Sequence, residues 1–337
     1  MPGEPAVVHR SGAKWKVALR LLVSAVFLAV LITRVPDLRG TIPKDHPLQT
    51  ALLLGGAVLT MLVSIVLSAW RWQEVLLVFD ARVSLRTLTG HHLAGQFVGN
   101  VLPSTIGGDV LRVARCSKTI SSSTNAFASV VLERLSGMLA LPVLVVVGFA
   151  FEPSLLQEDH SWFALVVAAL TLLVLGLILF AAGHPGIAGR FADNENWTRF
   201  IGAVFQGIDH ARHNPRRIVR VLIAALVYQV TIVGSYLFIF RALDAHVSIA
   251  AAFAFIPAVS MLQALPISVG GLGVREGALV LFRDGLGVTS AVATTAGLLW
   301  YGALVIVSML GAPIVAMGVR VVEPNGETDE ASAGLAS

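Results

Sequence analysis

The 337 residues are 56% hydrophobic and only 13% charged, with a mean hydropathy of +0.81. Soluble domains carry about 25% charged residues, so this chain has too little polar surface to stay dissolved as a globule, and bilayer is the solvent that remains. A formal charge of +4 is too mild for a nucleic-acid partner, and the single cysteine, Cys116, excludes an intramolecular disulfide and a cysteine-based metal site.

In chain order, residues 1–16 form a basic arm with Arg10, Lys14 and Lys16. The apolar run 17–34 follows without a small-residue cleavage pattern, so it reads as a retained first helix rather than a signal peptide. A helical span of the hydrocarbon core takes about 20 apolar residues. Six stretches reach that length or nearly so: 17–34, 49–70, 126–150, 161–182, 219–241 and 289–318, the last carrying Pro313 and predicted to tilt or kink. Two shorter apolar stretches, 88–102 and 247–265, each run into a Pro and then a Gly pair, and read as re-entrant half-helices. The expected architecture is all-α and polytopic, with six full spans and two re-entrant hairpins over residues 17–320. The acidic, apolar-poor segment 321–337 reads as a disordered tail.

Lys and Arg near span ends set orientation. The arm, the segment from Arg71 to Lys118 and the loop from Arg190 to Arg220 are basic, whereas loop 151–160 carries Glu152, Glu158 and Asp159 without Lys or Arg. Loop 35–47 is mixed, with Arg39 and Lys44 against Asp37 and Asp45. Both termini are therefore expected on the cytoplasmic side of the cell membrane.

The most informative feature is an internal repeat, with copies around 80–118 and 244–283. Residues 102–112 (LPSTIGGDVLR) match 265–275 (LPISVGGLGVR) at an offset of 163: Pro103 to Pro266, Gly107 and Gly108 to Gly270 and Gly271, Arg112 to Arg275. Upstream, Asp80-Ala-Arg-Val-Ser-Leu matches Asp244-Ala-His-Val-Ser-Ile at an offset of 164. Three long apolar stretches separate the copies, and an odd number inverts the second relative to the first, as in many secondary transporters with broken helices at the midplane.

The motif has readable chemistry. Pro ends one half-helix, the Gly pair permits positive φ and close backbone approach, and the next half-helix starts with free N–H groups that favour an anion. Arg112 and Arg275 lie about one turn further on, where a guanidinium can pair with a phosphate. The plainer alternative is a tight turn with each Arg anchored among headgroups. Gln96 and Asn100, at i and i+4 before Pro103, would line the polar side of the first half-helix.

Glu133 and Arg134 fall inside the 126–150 stretch, where charges are costly and usually functional. Ser129, Glu133, Ser136, Gly137 and Ala140 make a small, polar stripe at helical spacing, which turns Glu133 inward and lets it pair with Arg112; snorkelling at a helix end is the alternative. Asp109 and Glu276 complete the charged candidates for a translocation path. Trp70-Arg71-Trp72 reads as an interfacial anchor. The adjacent His91 and His92 diverge by about 100° on a helix and give no metal site. No cofactor is implied.

The segment GQFVGNVLP (Gly95–Pro103) with Gly107-Gly108-Asp109 and Arg112, then Glu133-Arg134, then PISVGGLGVRE (Pro266–Glu276) resembles the transmembrane domain of lysyl-phosphatidylglycerol synthase/flippase proteins over about residues 15–320. The resemblance implies movement of a lipid between leaflets. With the chain stopping at Ser337, the soluble aminoacyltransferase domain of the full-length proteins is expected to have no counterpart here, and whether a separate lipid-modifying enzyme supplies the cargo stays open. Relatives serve different lipids, so the resemblance leaves the cargo open among anionic, aminoacylated and polyprenyl-linked lipids.

The leading expectation is thus a lipid flippase rather than an enzyme, with membrane lipids as partners. Phosphate would sit at Gly107-Gly108 and Gly270-Gly271, with Arg112 and Arg275 as counterions. Two alternatives stand beside it: a membrane lipid-linked glycosyl or phospho transferase, against which the carboxylates Asp80, Asp109, Glu133 and Asp244 are scattered, and an accessory envelope-assembly protein without transport of its own.

Overall fold

The computed structural model describes residues 40–101, 107–184, 214–265, 268 and 270–318, with 202, 204, 205, 207 and 210. The stretch 17–34, the basic arm, the acidic tail, Pro103 and Pro266 lie outside the described residues. The helices in chain order are α1 (Pro47–Val78), α2 (Leu85–Val101), α3 (Gly107–Ile120), α4 (Ser123–Phe151), α5 (Ser161–Gly183), α6 (Pro215–Ala242), α7 (Ile249–Gln263), α8 (Val274–Leu281), α9 (Arg283–Leu286), α10 (Ser290–Ser308) and α11 (Gly311–Gly318). Among the described residues there is no strand. Among the described residues five helices, counting α10 and α11 as one, are long and apolar enough to cross a membrane. The chain is an all-α, multi-pass membrane protein.

The last span is broken, as Pro313 predicts. Pro313 has no N–H, and its ring crowds the carbonyl four residues back, that of Met309. α10 therefore stops at Ser308, and the Met309 carbonyl instead accepts from the Ala312 N–H at 3.0 Å.

The repeat is visible in local geometry. α1 and α6 both end on an aspartate with φ of 56°, Asp80 and Asp244. In each, the next residue reaches back five: Ala81 N–H donates to Leu76 O at 3.0 Å and Ala245 N–H to Phe240 O at 2.9 Å. This is a Schellman end with Asp at the left-handed position, which Asp tolerates better than most residues. Four residues later, Ser84 and Ser248 cap the following helix, their hydroxyls accepting from Thr87 N–H (3.2 Å) and Ala251 N–H (3.0 Å). Each copy is thus a long helix, a fixed cap, a shorter helix, a break and a second short helix.

Copy one (α1–α3) and copy two (α6–α8) run in opposite senses. A Cβ on Gly56 would meet Phe238 at 3.0 Å, one on Gly234 would meet Thr60 at 3.8 Å, and Arg71 lies over Tyr228. As numbers rise along α1 they fall along α6, so the two first helices pack antiparallel. The three membrane-length helices α4, α5 and α6 lie between the Gly-Gly motifs, which agrees with the inversion that the sequence predicts.

The core sits between the copies. α7 is apolar all round, and nine of its residues are buried, the pattern of a helix enclosed by protein. Phe255 on α7 packs edge-on against Phe149 of α4 and tilted against Phe282. α5 is the opposite: only 11% of its most apolar window is buried, so it presents its surface to lipid.

Candidate functional site

A cavity of about 410 Å³ opens between the two copies, with walls from α1 through α4, α6, α7 and α10. Its polar wall is built outward from Glu133. The small, polar stripe of α4 faces inward as expected, with Ser129, Glu133, Gly137 and Ala140 all buried. Glu133 Oε1 accepts from Ser68 Oγ at 3.1 Å and from Arg71 Nη2, and Glu133 Oε2 accepts from Arg112 Nη2 at 3.1 Å. The predicted pairing of Glu133 with Arg112 is present. Its second partner, Arg71, comes from α1.

Two rings hold the guanidiniums. Arg112 lies 4.4 Å from the Trp72 ring centroid and Arg71 lies 4.7 Å from that of Tyr228, within range of cation–π attraction. Trp72 is itself fixed by its indole N–H, which donates to Ser129 Oγ across α1 and α4 at 2.9 Å. A Cβ at position 137 would stand 2.5 Å from Arg71 Nη1, so Gly137 provides the room for this side chain. On the other side, Asp109 pairs with Arg112 at 3.4 Å and with Arg134 at 2.5 Å.

The interfacial-anchor reading of Trp70-Arg71-Trp72 is overturned. Arg71 is 5% exposed and Trp72 fully buried. α1 runs on to Val78 rather than ending near residue 70, which sinks Arg71 seven residues (78 − 71) from the helix end, or about 10 Å at 1.5 Å per residue. A signal for it existed: Ser64, Ser68 and Arg71 fall at i, i+4 and i+7 of an apolar run, a polar stripe of helical period. Tyr228 carried no such signal.

Of the other predicted residues, Gln96, Asn100, Gly108, Asp109, Arg134 and Gly270 line the cavity with Arg112 and Glu133, whereas Gly107, Gly271, Arg275 and Glu276 do not. The Gly pairs serve different ends. In copy one Gly108 is helical, and a Cβ there would lie 2.4 Å from the Gly95 carbonyl oxygen, so its role is close packing of α3 on α2. In copy two Gly270 and Gly271 take φ of 60° and 76°, the turn that was expected of both.

Copy two also fills its own anion position. α8 starts at Val274, not at the Gly pair, and Glu276 reaches back so that its Oε2 accepts from the Gly273 N–H at 2.6 Å. Its Oε1 accepts from Arg275 Nε at 3.0 Å. Arg275 is completely buried, 5.1 and 5.2 Å from the rings of Trp300 and Tyr301. The half-helix N-terminus expected to face a ligand here is capped by the chain's own carboxylate.

Cavity charge and unmet donors define what the site can hold. Arg71, Arg112 and Arg134 against Asp109 and Glu133 give 3 − 2, a net of +1. Among the described residues on the cavity wall, Arg71 Nε and Nη1, Arg112 Nε and Asn100 Nδ2 are buried without a hydrogen-bond partner; away from it, Arg275 Nη1 and Nη2 lack one too. Four unmet donors on one polar wall, inside a net-positive cavity, match an acceptor-rich anion.

The family model described as "Lysylphosphatidylglycerol synthase TM region" matches residues 17–312. A UPF0104 membrane protein of Methanothermobacter thermautotrophicus is 25% identical over 313 residues, covering 84% of this chain and 89% of that protein.

Proposed function

We propose that this chain, which belongs to the lysylphosphatidylglycerol synthase TM region family, is a lipid flippase of the cytoplasmic membrane. In this reading it moves a lipid with an anionic, phosphate-bearing headgroup between leaflets, aminoacylated and polyprenyl-linked lipids included, and both of its termini are cytoplasmic. The observation that carries the reading is the set of unpartnered donors on Arg71, Arg112 and Asn100 in a net-positive cavity. Buried donors without acceptors are destabilising by about 1–3 kcal/mol each, so such a wall is retained for what it binds. The inverted, antiparallel copies around the cavity suit alternating exposure of a midplane site.

Copy one carries the headgroup in this proposal. Arg71 and Arg112 offer the phosphate planar donor forks, while Arg275, closed off by Glu276, holds copy two together. The protein acts as a transporter rather than a transferase, and its cargo comes from a separate lipid-modifying enzyme.

Reconstitution in liposomes tests this. Labelled phosphatidylglycerol and polyprenyl phosphate are placed in the membrane, and protection from an external quencher is followed for wild type, Arg71→Ala and Arg112→Ala. Wild type is expected to scramble at least one lipid and both variants to lose that activity while remaining folded. Equal scrambling by both variants refutes the anion site, and no scrambling by wild type refutes the flippase.

A further inference from the structure

The five charges on the cavity wall form one chain of alternating sign. Arg134 Nε meets Asp109 Oδ2 at 2.5 Å, Asp109 Oδ1 meets Arg112 Nη1 at 3.4 Å, Arg112 Nη2 meets Glu133 Oε2 at 3.1 Å, and Glu133 Oε1 meets Arg71. Side-chain exposure is 58% at Arg134 and 21% at Asp109, and only 6%, 2% and 6% at Arg112, Glu133 and Arg71. Arg134 and Glu133 are neighbours on α4 yet point about 100° apart. The chain closes between them by crossing to α3, where Asp109 and Arg112 stand one turn apart, and it ends on α1.

Unmet donors alone do not mark a path, since Arg275 Nη1 and Nη2 are unmet as well, but Arg275 does not line the cavity whereas these cations do. Here the two innermost cations are the ones with donors to spare, Arg71 Nε and Nη1 and Arg112 Nε. The outermost cation is the exposed one. That gradient is what a path for an anion requires: an accessible positive end, and deeper cations with increasing capacity to donate.

We propose that this chain of charges is a relay for the phosphate of a lipid headgroup, taken up at Arg134, passed to Arg112 and held longest at Arg71, which has the most unmet donors. Asp109 and Glu133 are the internal anions of the relay. The phosphate engages Arg112 and Arg71 through their unmet donors while Glu133 keeps the Nη2 of each, so no buried charge of either sign is left bare at any step. Arg134 sets how fast the headgroup arrives and Arg71 how long it stays. The relay deepens the flippase reading, but its test does not require transport.

The test is stopped-flow mixing of the full-length protein in neutral micelles with micellar short-chain phosphatidylglycerol, read by tryptophan emission, to which Trp72 beneath Arg112 contributes. Loss of one charge at a rim changes the association rate and its salt dependence, whereas loss of a buried partner changes dissociation. Arg134→Gln is expected to slow association about fivefold at low salt, to flatten its salt dependence and to leave dissociation unchanged. Arg71→Gln is expected to speed dissociation at least about tenfold with association unchanged. Should Arg71→Gln fail to fold, Arg71→Lys keeps the charge, loses the fork, and must still speed dissociation.

Arg134→Gln acting on dissociation, Arg71→Gln leaving dissociation at the wild-type rate, or no binding by wild type overturns the relay. Inorganic phosphate competing as well as the short-chain lipid overturns the lipid headgroup as its ligand. Binding with the expected rates but without scrambling in liposomes upholds the relay and retires the flippase. Scrambling with wild-type association in Arg134→Gln does the reverse.

Discussion

Glu133→Gln is the most informative single change, because one carboxylate holds two buried guanidiniums. The substitution keeps shape and volume but raises the charge of the cavity from +1 to +2, three arginines against Asp109 alone. Removing one partner of a buried pair is destabilising by about 3–5 kcal/mol, and here the change releases Arg71 and Arg112 together. Arg71→Gln is milder, about 2–3 kcal/mol, since Glu133 keeps Arg112 at 3.1 Å. The double variant returns the charge to +1 and is expected to cost only about 2–3 kcal/mol, against about 5–8 if the two effects added. Reversible unfolding in mixed micelles titrated with SDS measures all three. A sum that is additive within about 0.5 kcal/mol refutes the coupling, and with it the view that Glu133 is the internal anion of this site. Scrambling separates the functions: the double variant is expected to be stable and inactive, because Arg71 has gone.

Gly108→Ala and Gly99→Ala make a matched pair on the α2–α3 contact. The new methyl at 108 would lie 2.4 Å from a backbone oxygen, whereas that at 99 meets nothing closer than 3.8 Å; thermal unfolding should show about 1–3 kcal/mol lost at 108 and little at 99. Glu276→Gln leaves Arg275 fully buried without its charge partner and should lose about 3–5 kcal/mol, a loss that Arg275→Met with Glu276→Gln largely recovers. Cys116 is completely buried in a small apolar cluster that includes Trp72 and Ala126, so maleimide labelling of the native protein in micelles is expected to be absent and to appear on unfolding.

Much of this fold is legible because its features are periodic or repeated. Long apolar stretches mark spans whatever surrounds them, and the match of Asp80–Leu85 with Asp244–Ile249 reports one cap geometry used twice. Pro313 marks the break in the last span for a purely local reason. The site is less legible because it is made by contacts between helices. Glu133, Arg112 and Asp109 stand out as charges within or beside apolar runs, but Arg71 looks like a span end when the apolar count stops at residue 70. The packing of α4 and α6 on α1, which brings Glu133 and Tyr228 to it, holds Arg71 inward. The Gly-Gly motifs are identical on paper and differ in space, since Gly108 is fixed by the approach of α2 and Gly270-Gly271 by the turn ahead of α8.

The copies differ in how each arginine is held. Each has an arginine on its second short helix stacked on a tryptophan, Arg112 on Trp72 and Arg275 on Trp300. Each tryptophan donates to a serine on a neighbouring long helix, Trp72 to Ser129 and Trp300 to Ser235. Within copy one the tryptophan is on the first helix, and in copy two it is the serine that occupies the first helix, so the same clamp is built with its partners exchanged. The carboxylates then decide the outcome. Glu276 comes from the arginine's own helix and closes a short, self-contained loop that seals Arg275. Glu133 comes from α4, a different element from either of its arginines, so a relative shift of α1, α3 and α4 uncouples it. The carboxylates thus separate an arginine tied within its own helix from two arginines tied across helices, and it is the second set that lines the cavity.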